Sequence, residues 1–168
     1  MHLISLEQIK EVVPQLDLLT GIEEGFCNYS RGKVVVPPVA EMILDKGEVH
    51  IKYGYVEGED LYVIKVASGF YENPELGLPS SNGLMLLFSQ QTGKLLAILL
   101  DNGYLTDVRT ALAGAVAARH LAPNRVERIG IIGAGTQARL QLLYLKQSIS
   151  CIDVYVWGRD NKELLRYR

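Results

Sequence analysis

The segment Arg128-Ile129-Gly130-Ile131-Ile132-Gly133-Ala134-Gly135-Thr136-Gln137-Ala138 narrows the choice of fold more than any other part of the chain. Its apolar run reads as a short buried strand and Gly133-Ala134-Gly135 as a tight turn. Residues 136–146, with Leu140, Leu142, Leu143 and Leu145, read as a helix, and residues 152–157 as a second strand. The spacing is GxGxxA. Gly133 permits the turn, Gly135 lets a pyrophosphate approach the backbone, and the small Ala138 lets helix and strand pack closely. An anion at this turn meets the free N–H groups of Thr136 and Gln137 at the helix start. A plain βα turn can carry the same glycines, but here strand, helix and second strand follow in register. Gly133, Gly135, Thr136 and Gln137 are therefore candidate cofactor-binding residues. The unit is the first β-α-β of a Rossmann-type nucleotide-binding sheet. Two parallel strands and one crossover helix cannot cover both of their faces. Residues 123–168 are thus expected to be a partial dinucleotide-binding domain, and the chain the N-terminal part of a longer protein.

A ribose-binding carboxylate is expected about 20 residues beyond the motif, where the chain reads Trp157-Gly158-Arg159-Asp160. Arg159 can hold a 2′-phosphate, favouring NADP. Asp160 can serve NAD if the strand ends later, and a solvated Arg-Asp pair opening the next helix fits as well. The cofactor reading is NAD or NADP, leaning to NADP through Arg159.

Residues 1–122 have a different texture. Ser5 with Gln8 forms a capping-box start for a short helix ending at Pro14, and a second helix is expected over 14–28. Strands follow over 34–36, 48–56, 61–67, 84–88 and 95–100, separated by turn sequences that suit antiparallel hairpins. Thr106 is expected to cap an alanine-rich helix over 107–121, ended by Pro123. The fold class is α/β overall, an α+β domain followed by the start of a Rossmann domain.

The hairpin arithmetic brings out two lysines. A symmetric, even-length turn centred on Gly58-Glu59 places Lys52 opposite Lys65 on one face of the sheet. Like charges so placed repel, and Lys65 lies within Val63-Ile64-Lys65-Val66-Ala67. Either an anion sits between them, or their stems carry the charges out to water, or an odd loop separates them. A third cation, Arg109, falls in the first turn after Thr106, where the helix dipole disfavours positive charge unless an anion is bound. Arg109 can grip a carboxylate or phosphate bidentately, assisted by Thr106 or Thr110; a solvent-exposed arginine is the plainer alternative.

Composition removes other classes. With 17 basic and 19 acidic residues the net charge is −2, and there is no basic stripe for nucleic acid. The longest apolar run, 95–100, is far below the roughly 18 residues of a membrane span. Cys27 and Cys151 have no metal or disulfide spacing, and no signal segment precedes them, which reads as free thiols in a cytoplasmic protein. His2, His50 and His120 are isolated along the chain, so no metal site is expected.

Taken in order, Lys65-Val66-Ala67, Gly77-Leu78-Pro79-Ser80-Ser81-Asn82-Gly83, Thr92-Gly93, Leu100-Asp101, Leu105-Thr106-Asp107-Val108-Arg109-Thr110-Ala111 and Gly133-Ala134-Gly135-Thr136-Gln137-Ala138 resemble the ornithine cyclodeaminase/mu-crystallin family over roughly residues 30–160. That resemblance implies an NAD(P)-dependent protein in which residues 1–122 build the substrate pocket and a homodimer interface. It also implies hydride transfer at the Cα of a small amino or cyclic imino acid, as in ornithine cyclodeaminases and pyrroline-2-carboxylate or ketimine reductases. By position, Lys65 matches the lysine that contacts the substrate carboxylate and moves protons, and Arg109 the carboxylate-binding arginine. Ser80 and Ser81 fall beside the nicotinamide, and Thr110 is grouped with the cofactor residues. A further substrate arginine is expected after the first strand, yet Val36-Pro37-Pro38-Val39-Ala40-Glu41 contains none, so Lys52 is the candidate replacement. The cyclodeaminase aspartate for the δ-amino group is expected beyond residue 168. The alternative expectation is a truncated, non-catalytic dimerising or ligand-binding fragment.

Overall fold

The protein is described here by a computed structural model covering residues 1–167. The chain packs as two compact units, Met1–Leu16 with Glu24–Leu105, and Asp17–Glu23 with the chain from Thr106 onward.

In the first unit the capping box forms as its spacing predicts. The Ser5 N–H donates to Gln8 Oε1 at 2.9 Å and the Gln8 N–H to Ser5 Oγ at 3.4 Å, opening α1 (Leu6–Val12). The second helix starts later than expected. Pro14 sits in a single 3-10 turn, Val13–Gln15, and Leu16 is extended. Asp17 then accepts the Thr20 N–H at 3.2 Å, and α2 runs Leu18–Ser30.

The sheet comprises β1 (His2–Ile4), β2 (Val34–Val35), β3 (Ala40–Leu44), β4 (Gly47–Val56), β5 (Leu61–Gly69), β6 (Ser81–Ser89) and β7 (Leu95–Leu99). Its order is β1-β7-β6-β5-β4-β2, with β3 also on β4; β1 runs parallel to β7 and the other pairs are antiparallel. β1 and β3 have no counterpart in the sequence reading. The β4–β5 hairpin has the even turn expected, Gly58 taking φ +85. Gln90 braces it, donating through Nε2 to the carbonyls of Val56 (3.0 Å) and Leu61 (2.9 Å) on either side of the turn.

The helix expected from Thr106 begins earlier, as α3 (Tyr104–Leu121). Asp101, only 1% exposed, accepts the Leu105 N–H through Oδ2 at 2.9 Å, and Asn102 and Gly103 (φ +51 and +83) form the left-handed turn leading in. Thr106 is therefore inside the helix and caps nothing. Arg109 is its sixth residue, beyond the first turn, and the dipole argument for an anion there loses its force.

In the second unit α3 buries Val108, Ala111, Leu112, Ala115 and Val116, one stripe at helical spacing. The β-α-β unit is present: β8 (Ile129–Ile132) and β9 (Val154–Trp157) pair in parallel, with α4 (Thr136–Leu145) as crossover. α5 (Asn161–Leu165) follows. Arg139 ties α4 to it, donating to the carbonyls of Arg166 (2.7 Å) and Glu163 (3.1 Å) and lying over the Tyr167 ring. Ile132, Ile152, Tyr155 and Trp157 remain exposed, as expected for a two-stranded piece of parallel sheet. Among the described residues no helix is long and apolar enough to cross a membrane.

Glu23 on α2 meets Arg119 (2.6 Å) and His120 on α3. The His120 hydrogen bond, aided by Arg119, holds its carboxyl below the usual range. A lowered folded value means that the stabilisation is complete above the unfolded value, about 4.3, and is lost as pH falls towards the folded one. The melting-temperature gap between the native chain and Glu23→Gln should close as pH falls below about 4.3. A gap that stays open down to about pH 2 would refute this.

Candidate functional site

The glycine turn of the second unit has the features needed to receive an anion. Gly133 takes φ +117, a conformation that side chains resist, and its N–H donates to the Trp157 carbonyl at 2.7 Å, fastening the turn to the end of β9. Gly135 is the N-cap of α4 and supplies no side-chain cap, so the first amides of that helix are left for a ligand. A Cβ built at Gly135 would meet nothing within 4 Å, so the approach to the backbone is open. Gln137 donates through Nε2 to the Asp107 carbonyl (3.2 Å) and carboxylate (3.0 Å). Its Oε1 is buried without a hydrogen-bond partner among the described residues.

Beside this turn a cleft of about 360 Å³ is lined by Ile132, Gly133, Ala134, Gly135, Trp157, Gly158, Arg159, Asp160 and Glu163. Open glycine edge, uncapped helix start and cleft fit the pyrophosphate and ribose of a dinucleotide. A larger hollow of about 650 Å³ is lined by Leu142, Ile152, Val154 and Leu164 but by none of the turn glycines. Its lining is mostly apolar, with Lys146 and Asn161 among it. Gly158 went unnoticed in the sequence: a Cβ there would stand 3.2 Å from Leu164 Cδ2 and 3.4 Å from Ala134 Cβ, so a larger residue would require Leu164 to shift by a few tenths of an ångström.

The strand ends at Trp157, and Asp160 caps α5 by accepting the Lys162 N–H at 2.8 Å. The later strand end that would present Asp160 to a ribose is not found. Arg159 is exposed on the cleft wall.

In the first unit Lys52 pairs directly with Lys65, in the register the hairpin arithmetic requires. Lys52 is exposed and Lys65 half-buried. The same row continues through Met85 on β6 and Leu99 on β7, so one sheet face runs from two cations into apolar surface. Ser81 opens β6 opposite Gly69, and the half-buried Ser80 accepts the Phe70 N–H at 2.7 Å through its carbonyl. Arg109 is exposed on α3 in the second unit, and Thr110 beside it donates its hydroxyl to the Thr106 carbonyl at 2.7 Å.

His50, isolated along the chain, is not isolated in space. Its Nδ1 stands 3.6 Å from Glu41 and its Nε2 3.5 Å from Glu48. The signal was present: Asp45-Lys46 is a two-residue turn, and hairpin pairing from Leu44↔Gly47 carries Glu41 opposite His50.

The profile of the ornithine cyclodeaminase/mu-crystallin family matches residues 2–167. A protein named an uncharacterized cyclodeaminase in Sinorhizobium fredii is 43% identical over 164 residues, covering 95% of this chain and 50% of that protein. The Δ1-pyrroline-2-carboxylate reductase of Thermococcus litoralis, solved with NADH and L-proline, superimposes with a TM-score of 0.93 at 29% identity, over 99% of this chain and 52% of that one. An archaeal alanine dehydrogenase dimer with bound NAD gives a TM-score of 0.92 at 28% identity, over 99% and 51%. The chain thus spans about half the length of the relatives it matches.

Proposed function

Because the chain belongs to the ornithine cyclodeaminase/mu-crystallin family, we propose that its protein is an NAD(P)-dependent enzyme that transfers hydride at the Cα of a small amino or cyclic imino acid. One observation carries the reading: Lys52 faces Lys65 across β4 and β5, which puts two cations side by side on one sheet face where a carboxylate can be held. The relatives solved with L-proline and with NAD support the substrate class and the nicotinamide.

Lys65 and Lys52 hold the substrate carboxylate, with the apolar row of Met85 and Leu99 beside its hydrocarbon part. Arg109 is assigned to a carboxylate by its match to the family arginine. A bound nicotinamide supplies or receives the hydride. Lys65, also the catalytic residue, moves a proton to or from the substrate nitrogen. Fixing the carboxylate orients Cα, which converts binding energy into rate. Gly133, Gly135, Thr136 and Gln137 take the pyrophosphate, Ser80, Ser81 and Thr110 the nicotinamide side, and Arg159 a 2′-phosphate where NADP is the cofactor. In this scheme residues 1–122 serve substrate and dimerisation, and residues 123–168 begin the cofactor domain. Val35, Met42, Leu44, Tyr53 and Tyr55 are exposed on the sheet face opposite the lysines, which suits burial in a homodimer. The free thiols Cys27 and Cys151 suit a cytoplasmic setting.

The test is nicotinamide absorbance with pyrroline-2-carboxylate and NADH or NADPH, and with L-proline, L-alanine or L-ornithine and the oxidised cofactors. Turnover of any of these supports the reading, and none with any of them defeats it. Non-catalytic ligand binding is the second reading, for which the cleft beside the glycine turn suffices. Trp157, on the cleft wall and 62% exposed, reports on the cofactor step alone. NADPH should quench its fluorescence saturably, and Arg159→Ala should weaken NADPH about tenfold while leaving NADH unchanged. Equal loss for both cofactors would remove Arg159 from the 2′-phosphate role.

A further inference from the structure

Strands β3 and β4 gather three donor side chains that the proposed reaction does not use. Glu41 lies directly opposite His50, and Glu48 shares the His50 face of β4 two residues earlier. One donor atom from each lies within 4.8 Å of the others. We propose that Glu41, Glu48 and His50 form a site for a divalent transition-metal ion, with Zn²⁺ the closest match.

The spacing leaves room for an ion between the three donors. At 3.5 and 3.6 Å the His50 nitrogens stand too far from the two carboxylates for charge-assisted hydrogen bonds, which close to about 2.7–2.9 Å. Tetrahedral Zn²⁺ with bonds of about 2.0–2.1 Å separates its ligands by about 3.4 Å. The His50 Nε2–Glu48 distance already matches that, and Glu41, whose short contact is with Nδ1 on the other side of the ring, is the exposed edge-strand ligand that has to swing across to the same ion. A neutral imidazole and two carboxylates carry −2, which a divalent cation neutralises. The imidazole selects Zn²⁺ and its neighbours in the first transition row over Mg²⁺ or Ca²⁺, which prefer all-oxygen ligand sets. Three protein ligands leave a fourth position for water.

The surroundings supply an outer support. Tyr71 donates its hydroxyl to Glu48 Oε1 at 2.8 Å, as outer partners of metal-bound carboxylates do. Gly69, opposite Glu48, leaves the way clear: a Cβ there would stand 3.3 Å from the Tyr71 oxygen and 3.6 Å from Glu48 Cγ.

Calorimetric titration of the chelator-treated chain with ZnCl₂ tests the site. Saturation at one equivalent is expected, weakened at least tenfold by His50→Ala and by Glu41→Gln, and about tenfold by Tyr71→Phe. Glu41 is on an exposed strand, so Glu41→Gln tests the site even if His50→Ala disturbs the sheet. Absence of stoichiometric binding would mean that the cluster is only a histidine between two acids. Binding unaltered in both ligand variants would place the ion elsewhere, for instance on a cysteine. Either result overturns the proposal.

Discussion

Leu112→Ala is expected to lower the unfolding free energy by about 2–5 kcal/mol, the largest stability loss we anticipate for a single substitution in this chain. Leu112 is 1% exposed, in the middle of a stripe whose other members are Val108, Ala111, Ala115 and Val116. Two of those four are alanines, which have no atoms to move into the space left by a lost isobutyl group, so the cavity term should fall in the upper part of the range. The measurement is a urea midpoint, with the slope compared between variants. A shifted midpoint at constant slope reports lost packing, whereas a changed slope reports a less cooperative fold. Leu112→Met, which conserves volume, should recover all but about 1.5 kcal/mol. A loss below 1 kcal/mol for the alanine variant would mean that the surroundings collapse onto the site.

The helix that carries that stripe was legible as an alanine-rich run ended by Pro123, and its buried positions 108, 111, 112, 115 and 116 follow the three-and-four spacing of one helix face. The hairpin was legible for a related reason. A turn of even length sets every pair on either side of it, so Lys52 and Lys65 could be matched before any coordinates. What failed depended on partners distant in the chain or on a turn not recognised. β1 is three residues long and parallel to β7, and nothing within His2–Ile4 marks it as a strand. All five residues of β3 are exposed, so no alternation betrays it, and the Glu41–His50 pair was hidden with it. The start of α3 was displaced because Asp101-Asn102-Gly103 makes a left-handed turn closed by a buried aspartate, a local solution that outcompetes the weaker cap at Thr106. In the cofactor cradle the glycine motif was visible because its backbone demands are local. The sequence leaves Asp160 between a ribose and the start of the next helix, since its role turns on where β9 stops, and the structure takes the second.

On the role proposed for Lys65, Lys65→Met is expected to reduce kcat/KM by about 10²–10³-fold, the largest functional effect we anticipate, because it would remove a cation from the substrate carboxylate while keeping the apolar stem. The substitution suits the position. Lys65 is half-buried between Ile64 and Val66 in the middle of β5, where methionine retains nearly the same length and packs without a new polar group. If Lys65 only stabilised the sheet, activity and melting temperature would fall together. If it serves the substrate, activity collapses while the melting temperature moves by no more than about 2–4 °C. The split between constants separates its two proposed roles. Loss confined to KM assigns Lys65 to carboxylate binding, and loss in kcat, with a changed pH profile, assigns it to proton transfer. Lys52→Met should cost less, since Lys52 is exposed and its charge is screened by water. Arg109→Leu should raise KM, because a guanidinium that grips a carboxylate has no substitute in leucine. Unchanged kinetics in Lys65→Met would remove the like-charge pair as an anion site. The two lysines would then be surface cations whose stems merely cover β4 and β5.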